Sequence, residues 1–193
     1  GKRLRGVISD VPKPMAMVEN RPFVAYLLDF FISNGVNEVI FSVGYKKDII
    51  IKYFGDRYKS IDIKYSLESI PAGTGGGLKK TLGLLKSDCR QFFLANGDTI
   101  LGVSLEGLKK CNEMSSANIT MSIFPATRSD RLGKVKFDKK NFLIDFGKEK
   151  CDIGEWGNAG FYCLENNRNL IDTLNKFNEP FGFEEDIIPV FFK

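Results

Sequence analysis

Two short cationic stretches open the chemistry available to this chain. Gly1-Lys2-Arg3-Leu4 stands a short spacer ahead of Pro12-Lys13-Pro14-Met15, which gathers a small residue and three cations around one turn. Lacking a Cβ, Gly1 lets backbone N–H groups approach an anion closely, and the planar fork of Arg3 matches two phosphate oxygens. Lys13 adds a point charge. The prolines beside it fix φ and hold Val11 and Lys13 away from the helical region, so the ammonium is expected on a stiff, extended segment. The plain alternative is a basic chain start with a chance proline pair.

Two further stretches carry possible chemistry. Asn96-Gly97-Asp98 directly follows the apolar run Gln91-Phe92-Phe93-Leu94-Ala95, so a carboxylate is delivered to the end of a buried strand through a glycine that permits a sharp turn. One carboxylate plus substrate phosphates is a common way to hold Mg²⁺; a turn in which Asp98 only caps Thr99 is the alternative. Pro71-Ala72-Gly73-Thr74-Gly75-Gly76-Gly77-Leu78 joins a strand to a helix with more glycine than a plain turn requires. Leu78 stands where a dinucleotide fingerprint would place its third glycine, and no Gly-Lys-Ser/Thr follows, so neither common phosphate loop is present. A flat base and ribose are the expected partners, against a flexible surface loop.

Composition narrows the choice of reaction. The 193 residues contain no histidine, which removes the central residue of Ser-His-Asp, Cys-His and His-metal sites and leaves carboxylates, cations or a metal. Cys89, Cys111, Cys151 and Cys163 are widely spaced with no CxxC, the pattern of free thiols and not of a zinc site or a disulfide framework. With no signal peptide and no membrane-length apolar run, the expected compartment is the cytoplasm, without a membrane partner. The net charge of +4 comes from scattered pairs such as Lys46-Lys47 and Lys109-Lys110. A nucleic-acid binder would more often show a basic stripe, so a small anionic substrate or a solvated surface fits better.

The elements that would position these residues alternate. Proline near residue 22 and glycine at 35 punctuate a helix over 21–32, and residues 38–43 read as a strand covered on both faces. A helix over 46–54, a strand over 61–65, a helix running from the glycines to 85 and a strand over 91–95 follow. This β-α-β-α-β order predicts an α/β fold with a mostly parallel, Rossmann-like sheet flanked by helices, binding ligands beyond the carboxyl ends of its strands. After Asp98 the pattern becomes mixed: a helix over 105–114, strands over 118–124, 134–137, 142–146 and 160–164, then closing helices over 166–177 and 184–192. Neither a repeat nor a linker interrupts it, so 1–193 reads as one domain.

In order as well as content, these residues resemble the sugar-1-phosphate nucleotidyltransferases, whose members carry G-G-x-G-T-R-L, P-K-P-M/L, a glycine-rich base loop and a G-D pair. Arg131-Leu132-Gly133, Glu149-Lys150, Asn158-Ala159-Gly160-Phe161-Tyr162 and residues 183–189 resemble that family's sugar-side segments. The resemblance implies the nucleotide-diphospho-sugar transferase fold, with 1–100 as the nucleotide-binding half and 101–193 as a smaller, mixed sugar-binding half. It implies Mg²⁺-dependent transfer of a nucleotidyl group to a sugar 1-phosphate. Arg3 would steady pyrophosphate, Lys13 would sit by the reacting phosphates and Asp98 would hold Mg²⁺. Gly1, Lys2, Gly73, Thr74, Gly75, Gly76, Asn96 and Gly97 would line the nucleotide. Gly133, Glu149, Asn158 and Gly160 would meet the sugar and Lys150 its phosphate, with Lys148 equally in reach.

Lys2 and Leu132 depart from the family pattern, which usually has Thr and an aromatic there. The family's first strand would precede Gly1 and its second metal-binding aspartate would follow Lys193, so the chain is expected to be a fragment. The glycine loop and the closing Phe-Glu-Glu-Asp-Ile-Ile-Pro are most similar to guanylyltransferases acting on manno-configured sugars, including heptose. A uridylyl- or thymidylyltransferase acting on a hexose 1-phosphate, or a non-catalytic nucleotide-sugar-binding regulatory protein on the same fold, stays open. So does oligomeric state, a homo-oligomer included.

Overall fold

The structure, a computed structural model, describes residues 11–99, 102–127, 133–147 and 149–192. It opens with the two-residue antiparallel strands β1 (Met17–Val18) and β2 (Arg21–Pro22). Helix α1 (Phe23–Ser33) starts directly after Pro22 and ends at Asn34, with Gly35 at φ +78° beyond it. Val24, Ala25, Leu27, Leu28 and Phe31 recur at helical spacing along its buried stripe. Next come β3 (Glu38–Val43), α2 (Lys47–Phe54), β4 (Arg57–Tyr58), β5 (Ile61–Leu67), α3 (Gly73–Leu82) and β6 (Gln91–Ala95). The second half contains α4 (Leu105–Ser115), β7 (Ile119–Pro125), β8 (Lys134–Phe137), β9 (Leu143–Gly147), β10 (Trp156–Glu165) and α5 (Arg168–Asn175). Side-chain caps begin the last two helices: Gly107 N–H donates to Ser104 Oγ at 3.0 Å and Leu170 N–H to Asn167 Oδ1 at 3.0 Å.

The α/β class is as the alternation implied. Parallel pairing among the described residues is confined to β3 and β5, in register from Glu38 opposite Asp62 to Val43 opposite Leu67. Strand β4 closes that sheet antiparallel to β5, and β6 pairs antiparallel with β10 in a second sheet that also holds β7, β8 and β9. The alternation specified crossovers but not which strand fills each neighbouring lane. Strand β3, read as covered on both faces, is mostly half-buried.

Strand β10 holds the two halves together. Alternate residues point to opposite faces: Phe161 joins a core with α1, α2, β3 and β5, whereas Tyr162 and Leu164 join a second with Leu78, Leu170, Leu174, Phe181 and Phe183. Removing each such apolar side chain from water contributes about 1.5–3 kcal/mol. One strand therefore serves two cores, and β6 of the first half shares a sheet with β7 to β10 of the second.

Three local expectations are corrected. Lys13 is not extended: Lys13–Met15 form a single 3-10 turn, closed by Met15 N–H on Pro12 O at 2.8 Å and Ala16 N–H on Lys13 O at 3.0 Å. The glycine run is not a loop ahead of its helix but the first turns of α3 itself. The final segment is no regular helix: a π-helical turn over Phe183–Ile187 passes into a 3-10 turn over Ile188–Val190, where Pro189 lacks the N–H that an α-helix would use.

Candidate active site

Strand β6 delivers Asn96-Gly97-Asp98 to its carboxyl end, where Asp98 meets Lys13. Lys13 Nζ lies 3.0 Å from Asp98 Oδ2, and the two side chains are 35% and 42% exposed. An ion pair so open to water is worth at most about 1 kcal/mol, so a polyphosphate or a cation can displace it at small cost. Gly97 lies against the proline segment: a Cβ there would be 3.4 Å from Pro14 Cγ. Residues 85 positions apart thus form one charged edge.

The sugar-side candidates converge on the same edge through a bulge. The register of β10 against β7 shifts between Asn158 and Tyr162, and Gly160 takes φ +72° within the shift. Asn96 N–H donates to Gly160 O at 3.0 Å, and a Cβ on Gly160 would sit 2.6 Å from Asn96 Nδ2, so glycine is required there. Asn158 N–H donates to Gly133 O at 3.0 Å, which brings Gly133, Asn158, Gly160, Asn96 and Gly97 into one row. Glu149 and Lys150 are exposed and follow the end of β9, where Gly147 pairs with Lys134. Among the described residues, no hydrogen bond or ion pair draws Lys150 into that row.

The glycines of α3 play a different part from the one expected of them. Gly75 and Gly76 are buried, and Cβ atoms on them would meet the Phe181 ring at 2.5 Å and Ala72 Cβ at 2.8 Å. The segment 179–183 lies along this face, held by Gly75 N–H on Phe181 O at 3.0 Å and Phe181 N–H on Ala72 O at 3.1 Å. Phe183 N–H donates to Thr74 Oγ1 at 2.8 Å. Gly73 and Thr74 remain exposed at the helix start. The close backbone approach is real, but at Gly75 and Gly76 it is made by the protein's own chain.

Three more residues stand here: Glu68, which sequence reasoning missed, and Tyr162 and Glu184, which it named only within longer segments. Glu68 accepts from Ser42 Oγ at 2.9 Å and from Ala72 N–H at 3.1 Å, fixing a carboxylate beside the start of α3. Tyr162 and Glu184 share a hydrogen bond of 2.8 Å. Burial above all, and then the Glu184 carboxylate, push the Tyr162 phenol well above its usual range, so it stays protonated as a donor. The alternation of β10 could have located Tyr162; nothing local distinguishes Glu184 from Glu185 and Asp186.

Pro14, Gly44, Glu68, Thr74, Gly97 and Glu184 line one cavity beside the ends of β3 and β6. Gly1, Lys2, Arg3, Arg131, Leu132 and Lys148 lie outside the described residues. Among those described, no group of three or more His, Cys, Asp or Glu could enclose a metal ion. Asp98 alone fits a cation that takes its remaining ligands from phosphate and water. No helix of the described residues is long and apolar enough to cross a membrane.

The carboxylate-lysine pair stands at the end of an α/β strand beside a row of glycines and amides, and the chain belongs to the nucleotidyl transferase family, matched over residues 1–192. It is 35% identical over 187 residues to a D-glycero-alpha-D-manno-heptose 1-phosphate guanylyltransferase of Campylobacter jejuni, covering 96% of this chain and 79% of that one. Identity to the enzyme of the same name from Aneurinibacillus thermoaerophilus is 36% over 189 residues, with 97% and 79% covered. The crystal structure of HddC from Yersinia pseudotuberculosis superposes with a TM-score of 0.82 at 26% identity, covering 98% of this chain and 81% of that one. The same protein complexed with GMP-PN gives 0.77 at 25% identity.

Proposed function

We propose that the protein is a sugar-1-phosphate guanylyltransferase. It joins GTP to a manno-configured sugar 1-phosphate, of the heptose or mannose type, to give a GDP-sugar and pyrophosphate. The observation that carries this reading is the meeting of Lys13 with Asp98 at the end of β6, which the Asn96–Gly160 hydrogen bond ties to the row of Gly133, Asn158 and Gly160. The relatives' names supply the base and the sugar type.

A phosphate oxygen of the sugar 1-phosphate attacks the α-phosphorus in line, and the bond from that phosphorus to the bridging oxygen breaks as pyrophosphate leaves with the electron pair. No protein nucleophile is required; the chain positions the reactants and neutralises charge. Lys13 holds a fixed positive charge beside the reacting phosphates, and by the resemblance Arg3 steadies the leaving group. Asn96 and Gly97 set the backbone that presents Asp98. Asp98 would hold Mg²⁺, which supplies charge neutralisation when bound. Glu68, a paired acceptor beside the start of α3, suits the two N–H donors on one edge of guanine. The 1–100 half would thus hold nucleotide and the 101–193 half sugar. A nucleotide sugar made from cytoplasmic GTP would serve surface-glycan synthesis.

The test is pyrophosphate release by the protein with a panel of GTP, UTP, dTTP and ATP against mannose, manno-heptose and glucose 1-phosphates, with and without Mg²⁺. Turnover is expected for GTP with a manno-configured acceptor and Mg²⁺. Preference for UTP or dTTP would transfer the chain to another base class, and binding without turnover would make it a sensor.

A further inference from the structure

Strands β3 and β5 end side by side, and the turn that leaves β3 carries an aromatic residue the fold does not explain. Glu68 N–H donates to Val43 O at 2.8 Å, just past the last paired residues, Val43 and Leu67. A Cβ placed on Gly44 would lie 3.3 Å from Glu68 Cβ, so the chain leaving β3 passes against the root of the Glu68 side chain. Lys47 N–H then closes a tight turn on Gly44 O at 3.3 Å, with Tyr45 and Lys46 at its corner. Lys46 takes φ +52°, an uncommon conformation for lysine, and α2 begins directly after it.

Packing does not account for Tyr45. The side chain is 70% exposed, and among the described residues its hydroxyl has no hydrogen bond and its ring no aromatic neighbour. Its one ring contact is Lys46 Nζ, 5.4 Å from the centroid, a cation drawn to one π-face. The opposite face is left to solvent. Tyr45 shares the wall of the cavity with Glu68, Pro71 and Thr74. The two oxygens of Glu68 each accept one hydrogen bond, from Ser42 Oγ and from Ala72 N–H, and each keeps a lone pair. An aligned carboxylate and a flat ring on one cavity wall are the two contacts that a purine base asks for, one at its edge and one at its face.

We infer that Tyr45 is a stacking platform for the nucleotide base, its open face lying against the plane of guanine while Glu68 accepts from the base edge. This deepens the guanylyltransferase reading and rests on it. Every base has a π-face, so Tyr45 contributes affinity and Glu68 contributes the choice of base. A purine covers more of the ring than a pyrimidine, so removing the ring costs GTP more than UTP. Tyr45 stands away from the reacting phosphorus and binds ground state and transition state alike. Its loss therefore acts on KM for GTP and not on kcat.

Tyr45→Ala tests this, with Tyr45→Phe and the base-free ligand ribose 5-triphosphate as controls. Loss of base–aromatic stacking predicts GTP binding weaker by about 5- to 150-fold in calorimetry, with a matching rise in KM for GTP. The sugar KM and kcat should change by less than about twofold. Tyr45→Phe keeps the ring and should bind GTP within about twofold of the wild type. Ribose 5-triphosphate should bind the wild type and Tyr45→Ala alike, because the lost contact is to the base alone. The melting temperature of Tyr45→Ala should move by less than about 2 °C, since the side chain is exposed. Undiminished GTP binding by Tyr45→Ala, or a loss that ribose 5-triphosphate shows equally, would overturn the stacking role, while pyrophosphate release with GTP keeps the guanylyltransferase reading. A wild type that releases no pyrophosphate from GTP with any sugar 1-phosphate would overturn both.

Discussion

Substituting Gly75 by alanine sets two effects of opposite sign against each other. Inside a helix, Gly→Ala normally stabilises by about 1 kcal/mol. Here the new Cβ would sit 2.5 Å from Cδ2 and Cε2 of Phe181 and 3.2 Å from the Gly182 carbonyl carbon. Carbon atoms in contact prefer about 3.5–4.0 Å, so the overlap is about 1 Å on two atoms at once. The ring cannot simply swing aside. It is buried, stacked on Phe177 at 5.5 Å, and its own backbone is bonded to Gly75 and Ala72. Overpacking of this kind costs up to about 3 kcal/mol, which leaves a net loss of about 2 kcal/mol and a fall of about 4–8 °C in melting temperature for a chain of this size. Gly83→Ala is the control: φ there is −67° and the nearest atom to a new Cβ is Lys80 O at 3.7 Å, so stability should hold or rise. Urea unfolding followed by circular dichroism measures both. A Gly75→Ala protein as stable as the wild type would show that the 179–183 segment is not seated on α3, and the account of these glycines would fall.

Two further outcomes are expected. Asp98→Asn should lower turnover by about 100-fold or more while the melting temperature moves by less than about 2 °C, since the pair it breaks is largely exposed; undiminished turnover at ordinary Mg²⁺ would remove Asp98 from the mechanism. Burial pushes Asp29 toward its neutral form, but hydrogen bonds from Lys59 and Arg21 outweigh it and hold the carboxyl below its ordinary value. A carboxyl lowered by folding stabilises above its unfolded pKa of about 3.9 and loses that contribution as pH falls through the folded value. Asp29→Asn should therefore cost about 1 kcal/mol near pH 7 and flatten the stability profile below about pH 4; identical acid limbs in the two proteins would refute the assignment.

What the sequence disclosed depended on how local the cause was. Helix α1 was legible because its stop, its start and its apolar stripe all lie within fifteen or so residues, about the window in which periodicity works. Strand β6 and the delivery of Asp98 from its end were legible for the same reason. The glycines of α3 were misassigned because glycine disfavours helix locally, and what overrides that preference is Phe181, far along the chain. The turn at Lys13 likewise sets two backbone hydrogen bonds against the restriction imposed by the following proline. Glu184 was legible only as part of the 183–189 segment, because three consecutive acids look alike until the fold aims them. Asp186 turns back to cap Gly182 N–H, whereas Glu184 faces Asn158.

The cover over α3 also orders events during synthesis. A ten-residue helix holding four glycines has little tendency to persist alone, and its partner Phe183 is encoded 109 positions after Thr74. As the chain leaves the ribosome, α3 lacks the segment it packs against until residues 179–183 have emerged. A product broken off before residue 179 would carry Lys13 and Asp98 and still lack the Phe181 and Phe183 contacts that cover α3.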